Sequence, residues 1–109
     1  MIQWEDFEKV DIRSGTIQAA DPFPEARKAS YKLLIDFGEL GKLRSSAQIT
    51  DLYALDELIG MQVVAVVNLG KKQIANFISE CLVLGVYNDE GKVVLLQPSL
   101  QVGNGCKIG

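Results

Sequence analysis

Between Asn68 and Glu80 the chain carries Asn68, Lys71, Lys72, Gln73, Asn76, Ser79 and Glu80: amides, ammonium groups, a hydroxyl and a carboxylate within thirteen positions. Lysines of this kind can neutralise phosphate. The amides and the hydroxyl can read a base edge, a 2′-hydroxyl or a peptide amide. Lys71 and Lys72 suit phosphate contacts, and they equally suit a solvated turn. Asn68 and Ser79 are binding candidates that could also satisfy backbone groups at a strand end. Glu80 cannot attract phosphate, so it either accepts from a base edge or peptide amide or pairs with a neighbouring lysine to fix the loop. Catalysis has little to work with, because the chain has no histidine, the commonest general base and metal ligand. No enzyme activity, cofactor or metal is expected.

These polar residues are framed by two apolar runs. Val63 to Val67 is mostly β-branched and reads as a strand covered on both faces, and Cys81 to Val86 reads the same way. A polar loop held between two such strands is where binding groups concentrate. Upstream, Val10 to Ala20 reads as a first strand, with Gly15 predicted to mark a bulge. Tyr31 to Gly38 is a second, with Tyr31, Leu33, Ile35 and Phe37 on one face. Leu43 to Gln48 is its hairpin partner, polar enough for one solvated face, from which Arg44, Ser46 and Gln48 join Arg13 as candidates for the exposed binding surface, although Arg13 could equally pair with Asp11 on the same strand face.

Asp51 to Ile59 carries a helical signal before Gly60, and Gln62 to Asn68 is the fourth strand. Cys81 to Tyr87 and Lys92 to Gln97 pair across Asn88-Asp89-Glu90-Gly91. Short strands with one helix between the third and fourth predict an all-β fold with short helices, a five-stranded OB-fold Greek-key barrel. The glycine-rich end, Val102 to Gly109, is expected to wrap along the barrel or a partner.

The 109 residues make one domain, 1–109, large enough to bury a core without disulfides or metal. No apolar run reaches the roughly 20 residues that would cross a bilayer, so no membrane insertion is expected. The start, Met1 to Asp6, lacks a basic and apolar leader pattern, which points to the cytoplasm. Cys81 and Cys106 are too far apart for a redox pair and read as buried thiols. Fourteen acids against eleven bases leave a net charge of −3, so any nucleic-acid site must be a local patch. Arg27, Lys28, Lys32, Lys42, Arg44, Lys71 and Lys72 are the clustered cations.

Asp11-Ile12-Arg13-Ser14-Gly15-Thr16-Ile17, Phe23 to Arg27, Ser45-Ser46-Ala47-Gln48-Ile49-Thr50, Val63 to Leu69, Ser79 to Gly85 and the closing Leu95-Leu96-Gln97-Pro98 with Asn104 to Gly109 together resemble the CsaA family. That family comprises small export-associated chaperones built of one tRNA-binding-type OB domain, related to the C-terminal domain of methionyl-tRNA synthetases. The resemblance covers essentially the whole chain. It implies a homodimer that binds unfolded or export-bound polypeptides, with a tRNA-binding surface beside that role; a dedicated structure-specific tRNA-binding protein is the alternative. In tRNA-binding relatives the loop after Asn68 runs to Lys-Ile-Arg-Gly. Here those positions are Gln73, Ile74, Ala75 and Asn76, so two cations are lost and tRNA binding is expected to be weak. The homodimer is expected to use the termini, with Trp4, Phe7 and Ile108 as anchors, since those apolar groups lie outside the strands that close the barrel.

Overall fold

The computed structural model describes residues 1–109. A short helix α1 (Trp4–Glu8) leads into β1 (Ile12–Pro22), β2 (Tyr31–Asp36), a 3-10 turn at Gly38–Leu40, β3 (Lys42–Ala47), helix α2 (Leu55–Leu58) and β4 (Gln62–Val66). Five short strands follow: β5 (Lys72–Ile74), β6 (Phe77–Ser79), β7 (Leu82–Val83), β8 (Gly85–Tyr87) and β9 (Val93–Leu95). Neither helix is long and apolar enough to cross a membrane.

The main sheet is antiparallel, in the order β3-β2-β1-β4-β7. β1 serves two neighbours: Ile12 to Thr16 pair with β4, and Thr16 to Pro22 pair with β2. The register with β2 slips between Ile17 and Ala19, and that bulge lets one strand turn from one partner to the other. The bulge therefore sits at Gln18, not at Gly15 as expected. Gly15 is required for another reason. A Cβ there would stand 2.7 Å from both Ile35 Cγ2 and Phe37 Cε1, so the glycine lets β2 and the residue after it cross close to β1.

The core is what alternation predicts. Ile17, Leu33, Ile35, Phe37, Val63 and Ala65 are completely or almost completely buried, and Leu58 of α2 plugs the end of the barrel between β3 and β4. Glu57 Oε1 accepts from Ala54 N at 2.6 Å to start that helical turn. Gly60 N then donates to Ile17 O at 2.8 Å, so the helix is tied to the bulged strand.

The sheet closes between β3 and the β6–β7 segment. Glu80 N donates to Arg44 O at 2.8 Å, and Ser45 Oγ, wholly buried, donates to Cys81 O at 2.9 Å. Ser46 N donates to Ser79 Oγ at 3.1 Å, and Arg44 N donates to Glu80 Oε1 at 3.0 Å. With Cys81 Sγ donating to Arg44 O at 3.7 Å, one backbone bond and four through side chains make the seam. A five-stranded antiparallel barrel with a helix between the third and fourth strands is an OB-type barrel.

Three expectations are corrected. The run from Cys81 to Val86 is not covered on both faces: Cys81 is buried, but Leu82 and Val86 are about half exposed, because the chain leaves the barrel after β7 and pairs with β9 instead. The segment after Asn68 is not simply a loop, since β5 and β6 form a hairpin around Ala75-Asn76, with Ala75 at φ 51°. Cys106 is exposed, unlike Cys81, and both thiols are free.

Candidate nucleic-acid and polypeptide interface

Two loops rise over the outer side of β3. One is the segment from Phe23 to Ser30, and the other is the stretch from Leu69 through the β5–β6 hairpin. Their bases are joined by an aromatic contact: Phe23 and Phe77, both buried, meet edge to face at 5.4 Å between centroids. Lys32 Nζ lies 5.2 Å from the Phe23 ring centre and 5.9 Å from that of Phe77, and Arg44 Cζ lies 5.9 Å from the Phe77 ring. These two cations are spent on holding the base of the cleft. Above them the loops leave an open cavity of about 780 Å³.

The cavity has a basic rim and a mixed floor. Arg27, Lys28, Lys71 and Lys72 face it against a single carboxylate, Glu25. Leu69, Ile74, Ala75 and Leu82 supply apolar surface, and Ser46, Gln48, Gln73 and Ser79 supply hydroxyls and amides. Only two ion pairs exist in the molecule, Arg13–Asp11 and Arg44–Glu80, so none of the four rim cations has an anionic partner. A chain of net charge −3 has thus collected a local excess of three positive charges at one place. Such a site attracts anions over a range set by the ionic strength.

Of the residues singled out from sequence, Ser46, Gln48, Lys71, Lys72 and Ser79 line this cavity. Ser79 is buried in its floor, where its hydroxyl is held between Ser46 N and Cys81 O. Arg44 and Glu80 stand beside the cavity and make the seam, their side chains 3.8 Å apart; the pairing considered for Glu80 thus takes an arginine of β3 and not a lysine. Asn68 directly precedes Leu69 of the cavity lining, but its side chain is used elsewhere. Its Oδ1 accepts from Asp11 N at 2.8 Å and its Nδ2 donates to Lys9 O at 2.7 Å, fixing the junction between α1 and β1.

Arg13 is also away from the cavity. Its Nε donates to Asp11 Oδ1 at 2.6 Å and its Nη1 to Gly105 O at 3.0 Å. That bond holds the Asp11 carboxyl below its ordinary range and raises the Arg13 guanidinium above its own. Burial pushes the Cys81 thiol up to about 12, so it is neutral and unreactive at physiological pH. Trp4 and Phe7 are exposed, with no residue of α1 buried, while Ile108 sits at the edge of exposure where its N–H donates to Ile12 O.

Arg27 and Lys28 were grouped with other cations in sequence but not assigned to a site. Nothing local marks them, because their place opposite Lys71 and Lys72 depends on the Phe23–Phe77 contact, 54 residues apart in the chain.

Residues 12–107 match the family described as "Putative tRNA binding domain". The methionine–tRNA ligase of Chlorobium chlorochromatii is 36% identical over 107 residues, which is 98% of this chain and 15% of that enzyme; the chain spans only about that share of the curated relatives it matches. The crystal structure of the chaperone CsaA from Bacillus anthracis superposes with a TM-score of 0.95 at 52% identity, covering 100% of this chain and 99% of that one. That of the CsaA chaperone protein from Picrophilus torridus gives 0.94 at 52% identity, with 100% of both chains covered. By its β-barrel and these matches, the chain belongs to the tRNA-binding-domain family, as a member of the CsaA type.

Proposed function

We propose that the chain is a non-catalytic, cytoplasmic chaperone that works as a homodimer, holds unfolded or export-bound polypeptides, and carries an RNA-binding surface of the tRNA-binding type at the cation-rimmed cavity. The observation that carries this reading is that surfaces of two opposite characters are both left open. One is the cavity of Arg27, Lys28, Lys71 and Lys72, which have no partner within the chain. The other is apolar: Trp4 is 82% exposed, and Val86 pairs with Val94 on the outward face of β8 and β9, both open to solvent. A monomer this small rarely leaves so many large apolar side chains uncovered, and such surfaces mark association with protein. Self-association through Trp4, Phe7 and Ile108 would cover part of this surface and leave the remainder for a client.

The chemistry of the side chains supports a non-catalytic role. Histidine is absent, and the groups whose protonation is shifted, Asp11, Arg13 and Cys81, are all engaged in holding the fold. The same relatives favour a second reading, a dedicated tRNA binder without chaperone function, and the charge excess at the cavity is the observation behind it.

A parallel titration separates the readings. Total tRNA and a denatured client protein are each titrated against the chain at several salt concentrations. RNA binding is expected to weaken steeply with salt, and suppression of client aggregation to be nearly indifferent to it. Trp4→Ala is expected to shift a dimer towards monomer in sedimentation and to weaken client capture. Failure to suppress aggregation, together with salt-sensitive RNA binding, would leave the dedicated RNA binder; a monomer at micromolar concentration would remove the dimer.

A further inference from the structure

A second cavity, of about 380 Å³, lies beside the first and outside the five-stranded barrel, between β3's exit and the β8–β9 hairpin. Lys28 and Gln48 line both cavities, so the two adjoin along a shared wall. At its far end stand Tyr87 and Lys92 on the hairpin, facing Thr50 and Asp51. We infer that this end is a nucleobase subsite, in which Tyr87 stacks one base of a single-stranded RNA segment whose phosphates follow the cations of the first cavity. The inference rests on the RNA reading of that first cavity.

Tyr87 differs from the other tyrosines. Tyr31 Oη donates to Tyr53 O, and Tyr53 Oη accepts from Leu95 N, so both are used inside the fold. Tyr87 is 76% exposed and its hydroxyl has no partner in the chain. It is also held in place. Asn88 Oδ1 accepts from Glu90 N and Lys92 N, each at 2.9 Å, and Asn88 N donates to Lys92 O at 2.8 Å, which fixes the hairpin tip that carries Tyr87 and Lys92. An exposed ring carried on a fixed hairpin tip beside a basic track is the arrangement on which bases of a single strand stack.

The charges place base and phosphate differently along the groove. Lys28 and Lys92 can each meet a phosphate. Asp51 would repel one, but its carboxylate accepts hydrogen bonds from the exocyclic amine of cytosine. Uracil has no exocyclic amine and offers a carboxylate only its ring N3–H, so a preference for cytosine is the expected outcome.

The test uses fluorescein-labelled single-stranded oligocytidylate and oligouridylate in anisotropy titrations over a salt series. Tyr87→Ala is expected to weaken both about tenfold, with the salt slope unchanged because no phosphate contact is lost. Tyr87→Phe should bind as the wild type does, and Asp51→Asn should remove the preference for cytosine. If Tyr87→Ala binds normally while Lys71→Ala with Lys72→Ala binds weakly, the RNA reading stands and the subsite is refuted. If the wild type binds no RNA, both fall. A Tyr87→Ala variant that loses only capture of a denatured polypeptide would give the groove to peptide and overturn the inference.

Discussion

The two flanks of the barrel use the same kinds of polar residue to opposite ends. On the β1 flank the C-terminal segment is bonded to the strand at almost every step. Ser14 N donates to Cys106 O at 2.9 Å, Gly105 N to Ser14 O at 2.7 Å and Ile108 N to Ile12 O at 2.9 Å. Ser14 Oγ donates to Gly103 O and accepts from Cys106 N, Thr16 Oγ1 bonds to Asn104 Oδ1, and Arg13 reaches both Asp11 and Gly105. On the β3 flank the seam is made largely by side chains, and the cations above it have no anionic partner. A polar residue next to unpaired backbone is consumed by the fold, because a buried N–H or C=O must find a partner. What remains for a ligand are the charges that no such backbone reaches. The difference explains why Arg13 and Asn68 are occupied while Lys71 and Lys72 are free.

The sharpest way to break the comparison is to loosen the β1 flank. Gly105 has φ 83°, and a Cβ there would press against Phe37 O. Gly105→Ala is expected to cost about 2–4 kcal/mol in denaturant unfolding, from left-handed strain and collision together. RNA binding per folded molecule should not change, since the cavity lies on the other flank. Loss of RNA binding without loss of stability would show that the flanks are not independent.

Next in size is the opposite experiment. Lys71→Ala with Lys72→Ala should leave stability within about 0.5 kcal/mol, as for other exposed positions, and should lower the salt slope of RNA binding by about two. An unchanged slope in a filter-binding series would mean that these lysines touch no phosphate.

The seam itself gives a mixed effect, smaller than that of loosening the β1 flank. Ser79→Ala removes the acceptor for Ser46 N at the cavity floor and is expected to cost about 1–2 kcal/mol. Cys81, buried in the same seam, should resist a thiol reagent at neutral pH while exposed Cys106 reacts, so native protein should label at one of its two thiols. Labelling of both would mean that the seam opens readily.

The smallest effect belongs to Asp11. Its carboxyl is held below the ordinary value by Arg13, so its contribution is present at neutral pH and is lost as pH falls below about 4 and through the depressed folded value. Asp11→Asn should therefore cost about 0.5 kcal/mol at neutral pH. Urea melts of the two proteins should converge in acid. A gap that persists below that window would assign the cost to packing rather than charge.

Much of the barrel was legible in the chain because alternation is a local signal. Leu33, Ile35 and Phe37 recur at every second position, and Val63 to Val66 is continuous because both its faces are covered. The β5–β6 hairpin was hidden, since its turn is Ala75-Asn76 and an alanine at positive φ carries none of the glycine signature of such turns. The outward course of Leu82 to Val86 was hidden too, because an apolar run looks the same whether a core or a partner is to cover it.

What the sequence determined by itself was composition and period: an all-β chain without histidine, a net charge of −3, and a lysine pair in the segment after the fourth strand. Tertiary structure alone decided which charges are free. Arg27 and Lys28 meet Lys71 and Lys72 only because Phe23 packs on Phe77, and Arg13, already paired with Asp11 two residues away, is closed off further when the C-terminus returns to β1. Electrostatic partners are set by distance in space, and no local pattern encodes which distant segment will arrive to satisfy a given side chain.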